Sequence, residues 1–297
     1  MRKRQGRYYL GRVSKVGITS AEVIDIIQKP KIIQIGQHAW TITDHKISND
    51  QKNIFGKLVK FRPQGRLDVI DIKNSARATK IAENMIIATS PFIYISDYSG
   101  IAYLHVWNQI ETQTFARRFA EIVRETKGNF FMDCEIETIS DFRTFAAKVS
   151  SLTRVDRIQA TVRPPNPLFG HLWEGLKTYL QQRNSAEMKI SEEGIETDKG
   201  AQGLSTQLPS TISDIERSKD LQKLAPIPIG DQAILMAADG YGKGLIEGPD
   251  AANVKHIIKT TEAHLSFLAD KDPLPETLEQ IAIPLLETIK KQRYMEH

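Results

Sequence analysis

Cysteine is almost absent: Cys134 is the only one in 297 residues, which excludes an internal disulfide framework and fits a reducing compartment. Long apolar runs are missing as well. The longest, such as residues 227–238, are short and broken by polar residues, so no segment is expected to span a bilayer. The opening Met1-Arg2-Lys3-Arg4 is basic, but no apolar stretch of signal-peptide length follows it, and a cytoplasmic location is expected. The seven histidines include no pair at H-x-x-x-H spacing, and one thiol cannot complete a zinc set.

Catalytic signatures are equally sparse. Residues 239–244, Asp-Gly-Tyr-Gly-Lys-Gly, look like a phosphate loop, yet Ala237 stands where the first Walker glycine belongs and Gly244 replaces the Ser or Thr. A hairpin tip is the expected use of that stretch. There is no dinucleotide fingerprint, no G-x-S-x-G elbow and no internal repeat. Zinc-finger spacing, a basic zipper and an RNP1 string are also missing. No cofactor and no catalytic residue is assigned, and enzyme activity is not expected.

What the chain does have is charge asymmetry. The first 80 residues carry 17 Lys or Arg against 6 Asp or Glu, a net of +11 that the whole-chain figure of +4 conceals. By subtraction the remainder holds 23 basic and 30 acidic side chains, a net of −7. A one-sided field of this kind attracts polyanions and suits phosphate contacts.

Composition, 40% apolar and 26% charged, is that of a soluble globular protein, and the length favours more than one domain. Tyr8–Val16 reads as a strand, followed by a helix capped by Thr19 or Ser20 and ending at Ile27. Residues 31–44 and 53–62 are β-rich and stop at the turn residues Pro63-Gln64-Gly65, with 72–84 as a polar connector or short helix. Strands are expected at 85–96 and 101–107, joined by a turn at 97–100, then at 130–136 and 157–163. Helices are expected at 111–126, 141–152 and 170–184, the first carrying Phe115, Phe119, Ile122 and Val123 on one face. Residues 191–230 are polar and read as a linker or insert with one short helix near 214–224. A hairpin of 233–238 and 244–246 around Asp239-Gly240 follows, then a helix over 275–294 with a kink at Pro284. The fold class is α/β (α+β), with two lobes: a basic β-rich N-terminal lobe and a mixed β-hairpin/α/β lobe, closed by a C-terminal helix. The expected units are 1–84, 85–190, the insert 191–230 and 231–297.

The candidate nucleic-acid-binding residues are Arg2, Lys3, Arg4, Arg7 and Arg12 on the arm and first strand, with Lys57, Lys60, Arg62 and Arg66 on a later strand and just past it. Lys57 and Arg62 fall on opposite faces of their strand, so a groove requires the neighbouring arm or turn. Tyr8, Tyr9 and Trp40 are candidate stacking surfaces. Asp133, Glu135 and Glu137 alternate on one strand face and form the alternative site, a metal centre for phosphodiester hydrolysis. Opposite them Phe130, Met132, Cys134 and Ile136 are the buried face, which makes Cys134 a core thiol. His105 is expected to be structural, and His171 opens a helix. A third alternative is a protein-interaction module that uses the insert and the last helix.

Two stretches resemble the RexA-like DNA-binding proteins of lambda-type phage exclusion. They are Ser90-Pro91-Phe92-Ile93-Tyr94-Ile95 with Gly100-Ile101-Ala102-Tyr103, and Pro167-Leu168-Phe169-Gly170 followed by Leu172 and Leu176. The likeness covers mainly residues 85–180, and the insert at 191–230 departs from it. What the resemblance implies is a homodimeric antiphage (abortive-infection) protein that binds DNA without base-sequence preference, beside a separate membrane effector protein. Binding is then expected to fall steeply with salt and to be abolished when Lys57, Lys60 and Arg62 are reversed to Glu.

Overall fold

The structure is a computed structural model, and it describes residues 4–128, 132–164, 174–198, 200–216 and 227–294. In chain order the elements are β1 (Gln5–Val16), α1 (Ser20–Gln28), β2 (Ile33–Ile35), β3 (His38–Ile47), β4 (Asn53–Asp71) and β5 (Ala76–Ile95). There follow β6 (Gly100–Leu104), α2 (Thr112–Lys127), β7 (Asp133–Thr138), α3 (Phe142–Ser150), β8 (Arg157–Val162) and α4 (Glu174–Gln182). The chain continues through β9 (Met188–Glu193), β10 (Ile195–Thr197), β11 (Gly200–Gln202), α5 (Leu208–Glu216) and α6 (Ile229–Met236). It closes with β12 (Gly242–Pro249), β13 (Lys255–Lys259), β14 (Ser266–Asp270) and α7 (Pro275–Tyr294). The result is a mixed α+β fold in which the sheets are antiparallel, with the expected C-terminal helix.

The larger sheet runs β14-β1-β6-β5-β4-β3-β2, and β7 pairs with the second half of β1. A smaller sheet runs β13-β12-β8-β9, and β10 with β11 forms a short hairpin. The larger sheet is buried on both faces. Val13, Leu58, Phe92, Tyr94 and Tyr103 pack under α1 and α2, where Phe115, Phe119, Ile122 and Val123 form the stripe that helical spacing predicts. The opposite face places Tyr8, Leu10, Phe55, Ile93 and Leu104 in one core with α3, α5, α6, α7 and the smaller sheet.

Local signals explain the helix ends. Thr19 and Glu22 form a capping box at α1, and Asp141 caps α3 through the Arg143 amide. Gly128, at φ 65°, closes α2 in the left-handed conformation that a side chain would strain. Gly100 lets α7 approach closely: a Cβ there would lie 2.5 Å from Leu286 Cδ1, which would have to move. That contact seats α7 on β6, and burying Leu286 contributes about 1.5–3 kcal/mol. The helix continues through Pro284.

Several expectations are corrected. Pro63-Gln64-Gly65 is no turn but lies inside β4, and residues 76–84 of the expected connector are the first half of β5. Past Phe61, β4 pairs with β5 alone among the described residues, so Pro63, which lacks an N–H, faces an open edge. The turn is at 72–75, with Ser75 at φ 48°, closed by the Asp71–Ala76 pair. Residues 233–236 are helix, not strand, because an apolar run buried on all sides has no period to read. Residues 237–241 are a buried π turn leading into β12, so Asp239-Gly240 is not a hairpin tip. The insert is not a linker throughout, since Leu208, Ile212 and Ile215 of α5 enter the main core. Of its expected helix only 214–216 are described, at the end of α5; 217–224 lie outside the described residues. The expected boundaries at 84/85 and 190/191 fall inside β5 and β9, and β1 lies between strands from later in the chain.

Candidate nucleic-acid interface

The nine predicted cations do not converge as a set. Arg2 and Lys3 lie outside the described residues, and Arg66 sits on β4 opposite Ile81. Arg12 is fully buried, with 0% exposure. Its Nη1 donates to the Tyr98 carbonyl at 2.7 Å, Nη2 lies 3.8 Å from Asp239 Oδ2, and its guanidinium stands 5.5 Å from the Tyr241 ring centre. Gly240, at φ 88°, makes room for it, because a Cβ would come within 2.8 Å of Arg12 Cγ. The strand alternation contained the signal: Arg12 follows Tyr8 and Leu10 on the inward face. Lys57 is neutralised by Asp272 at 2.8 Å and Asp44 at 3.1 Å, and those hydrogen bonds hold its pKa up. Neither residue is available to a phosphate strand.

Lys60 and Arg62 behave differently. The pairing of Trp40 with Lys60 places them on the α2 side of the sheet with His38. Lys60 Nζ donates to Gln109 Oε1 at 3.2 Å and stands 5.7 Å from the Trp40 ring centre; neither partner cancels its charge. Arg62 is exposed, and no carboxylate contacts it among the described residues. Burial lowers the pKa of His38, and the charges of Lys60 and Arg62 lower it further. His38, Lys60 and Arg62 thus gather three basic side chains on one side of the sheet.

This patch continues along one end of the sheet. Gln109 belongs to the turn closed by the Val106–Ile110 bridge, whose Trp107 is 74% exposed. Trp107 meets the His105 ring edge-on at 5.8 Å, and the His105 amide donates to the Arg7 carbonyl at 2.9 Å. Arg7 itself is exposed and donates to Ser266 Oγ at 3.2 Å, while Arg4 is exposed at the start of the same edge. The rim therefore runs Arg7, Trp107, Lys60, Arg62; Arg4, three residues before Arg7, falls on the other face. Sequence reasoning missed Trp107, and its only signal was a large aromatic in the polar turn Trp107-Asn108-Gln109. The expected stacking residues are core instead. Tyr8 stacks on Phe267 at 5.4 Å, Tyr9 lies between His105 and His264, and Trp40 is buried beneath Lys60 and Arg118.

The acidic strand faces a second region, a groove of about 770 Å³ between α2 and β7, with Lys243 and His264 on its far wall. Arg163 holds Glu135 through both guanidinium nitrogens and reaches Glu187 at 3.0 Å; burial works against the Glu135 carboxylate, but the Arg163 hydrogen bonds and charge outweigh it and lower its pKa. Glu137 meets Lys243 at 3.0 Å, yet burial leaves its pKa raised. Asp133 is 3.4 Å from Arg124. Each carboxylate faces a cation, and no group of three His, Cys, Asp or Glu among the described residues is placed to hold a metal ion. Cys134 is a core thiol, and burial pushes its pKa up to about 12. Phe130, His171, Leu172 and residues 167–170 lie outside the described residues.

No helix among the described residues is long and apolar enough to cross a membrane. No known family matches this chain, and no curated protein matches it either.

Proposed function

We propose that this protein binds nucleic acid, duplex DNA in particular, through the rim at the Lys60 end of the larger sheet. One observation carries the reading: Lys60 and Arg62 share one side of the sheet with His38 and neither is paired with a carboxylate among the described residues, while Lys57 is paired and Arg12 is buried. Phosphate contacts from Lys60, Arg62 and Arg7 supply most of the affinity, and Trp107 offers an apolar face beside them. Base edges contribute little at the rim, so binding there is largely independent of sequence. A role in phage exclusion as a homodimer, with a separate membrane effector, is proposed on the resemblance of residues 85–180 alone. The test is fluorescence anisotropy with a labelled 30-base-pair duplex at two salt concentrations. Lys60→Glu with Arg62→Glu is expected to weaken binding at least tenfold (roughly 1.4 kcal/mol) with an unchanged melting temperature. Equal affinity of the double variant and the parent protein refutes the proposal.

A further inference from the structure

The rim has an extension that its charges alone do not explain. From the Arg62–Met85 pair to the Asp71–Ala76 pair, β4 and β5 leave the sheet as a two-stranded ribbon. At ~3.3 Å per residue this ribbon is about 30 Å long. A hairpin without a third strand or a packed face is marginal in water, so a ribbon this long calls for a partner surface. It also carries bare apolar side chains: Ile70 is 78% exposed, Ile81 78%, and Ile72 in the turn 87%.

The register says which way these groups face. Ile70 stands opposite Arg77 and Asp68 opposite Thr79 on one face; an even step along β5 from Thr79 puts Ile81 on it, and an even step along β4 puts Arg62 on it too. Ile70 and Ile81 therefore continue the face on which Lys60 and Arg62 lie, and Ile72 is exposed in the turn beyond them. Over residues 62–85 the sequence holds five Lys or Arg and three Asp or Glu. One of those acids, Asp68, is held by Arg77 at 2.5 Å in an exposed pair that contributes little to stability. The ribbon is thus basic, continuous with the rim and apolar at its tip.

Resting on the proposed function, we infer that the β4–β5 ribbon enters the major groove of duplex DNA and sets Ile70, Ile72 and Ile81 against thymine methyl groups. Width decides the groove: the major groove, about 12 Å across, admits a two-stranded ribbon, and the minor groove, about 6 Å, does not. Length agrees, since about 30 Å is close to one helical turn of roughly 34 Å. Chemistry supplies the contact, because the thymine C5-methyl is the apolar feature of that groove. The rim then holds phosphates while the ribbon samples base edges.

Replacing thymine by deoxyuridine removes only the methyl groups. Anisotropy titrations with matched thymine and deoxyuridine duplexes, with the full chain, test the inference. The parent protein is expected to bind the deoxyuridine duplex roughly fourfold more weakly for each methyl it covers. Ile70→Ser with Ile72→Ser and Ile81→Ser is expected to bind both duplexes alike. A second variant joins the cross-strand partners Gln64 and Glu83 through Asn-Gly; it is expected to lose the methyl dependence and keep the salt-sensitive rim binding. If the parent protein binds both duplexes equally, the inference fails and the proposed function stands. If it binds neither, the proposed function itself fails. If the shortened variant keeps full affinity but changes from dimer to monomer in light scattering, the ribbon serves a second copy and the inference is overturned.

Discussion

The two faces of β4 treat cations in opposite ways. Lys57 points to the side of the sheet where Asp272 and Asp44 close on it, whereas Lys60, three residues on, points to the α2 side and meets an amide and an indole. The difference comes from chain that folds onto each face. Asp272 follows β14, distant in sequence, and a segment's net charge cannot announce it. A charge excess therefore becomes a binding field only on the face that later acids leave alone.

The strongest way to break this contrast is through Arg12, which belongs to the buried class. Arg12→Ala is expected to destabilise the fold by about 3–5 kcal/mol, because the buried Asp239 loses the guanidinium beside it and the Tyr98 carbonyl loses its donor. Denaturant unfolding measures it; a loss under about 1 kcal/mol would return Arg12 to the surface class. Next comes His38, which reports on the rim field. Phosphate beside Lys60 and Arg62 offsets their charge, so its pKa is expected to rise when duplex binds. Proton NMR titration with and without duplex shows it, and an unmoved imidazole places the phosphates elsewhere.

Lys15 gives a smaller effect and a worked sign. It donates to Ser20, Tyr94 and Ser99 at 2.6–3.0 Å, and burial lowers its pKa to about 8 from 10.5. Between those values the unfolded chain holds the proton that the folded chain has lost, so the Lys15 contribution to stability rises with pH from about 8 to 10.5. Relative to Lys15→Met, the parent protein is expected to gain stability between pH 7.5 and 10; a constant difference contradicts the account. Lys57→Gln is the smallest: under about 1 kcal/mol of stability and no change in duplex affinity, since a mostly exposed carboxylate pair is all that it loses. A drop in affinity there would erase the distinction between the faces.

The sequence made the α2 stripe, the Thr19 cap, β1 and the burial of Cys134 legible, because period and capping are local signals. It hid the ribbon because Pro63, Gln64 and Gly65 are turn residues by habit, and only the register of β4 on β5 shows where the reversal lies. It hid α6 because a continuous apolar run suits a buried strand as well as a buried helix. For the site, Lys60 and Arg62 were visible as cations and alternation already set Lys57 on the other face of its strand, but the acids that pair Lys57 and Arg12, Asp272 and Asp239, arrive from the far end of the chain. Trp107 escaped because an aromatic beside a strand usually belongs to the core.

The most direct test of the central claim is the slope of log affinity against log salt for duplex binding. Each phosphate contact contributes about 0.9 to that slope, so Lys60→Glu with Arg62→Glu is expected to lower it by about two, and Lys57→Gln to leave it unchanged. Equal slopes for the parent protein and the double variant, or a lower slope in Lys57→Gln, would contradict the account.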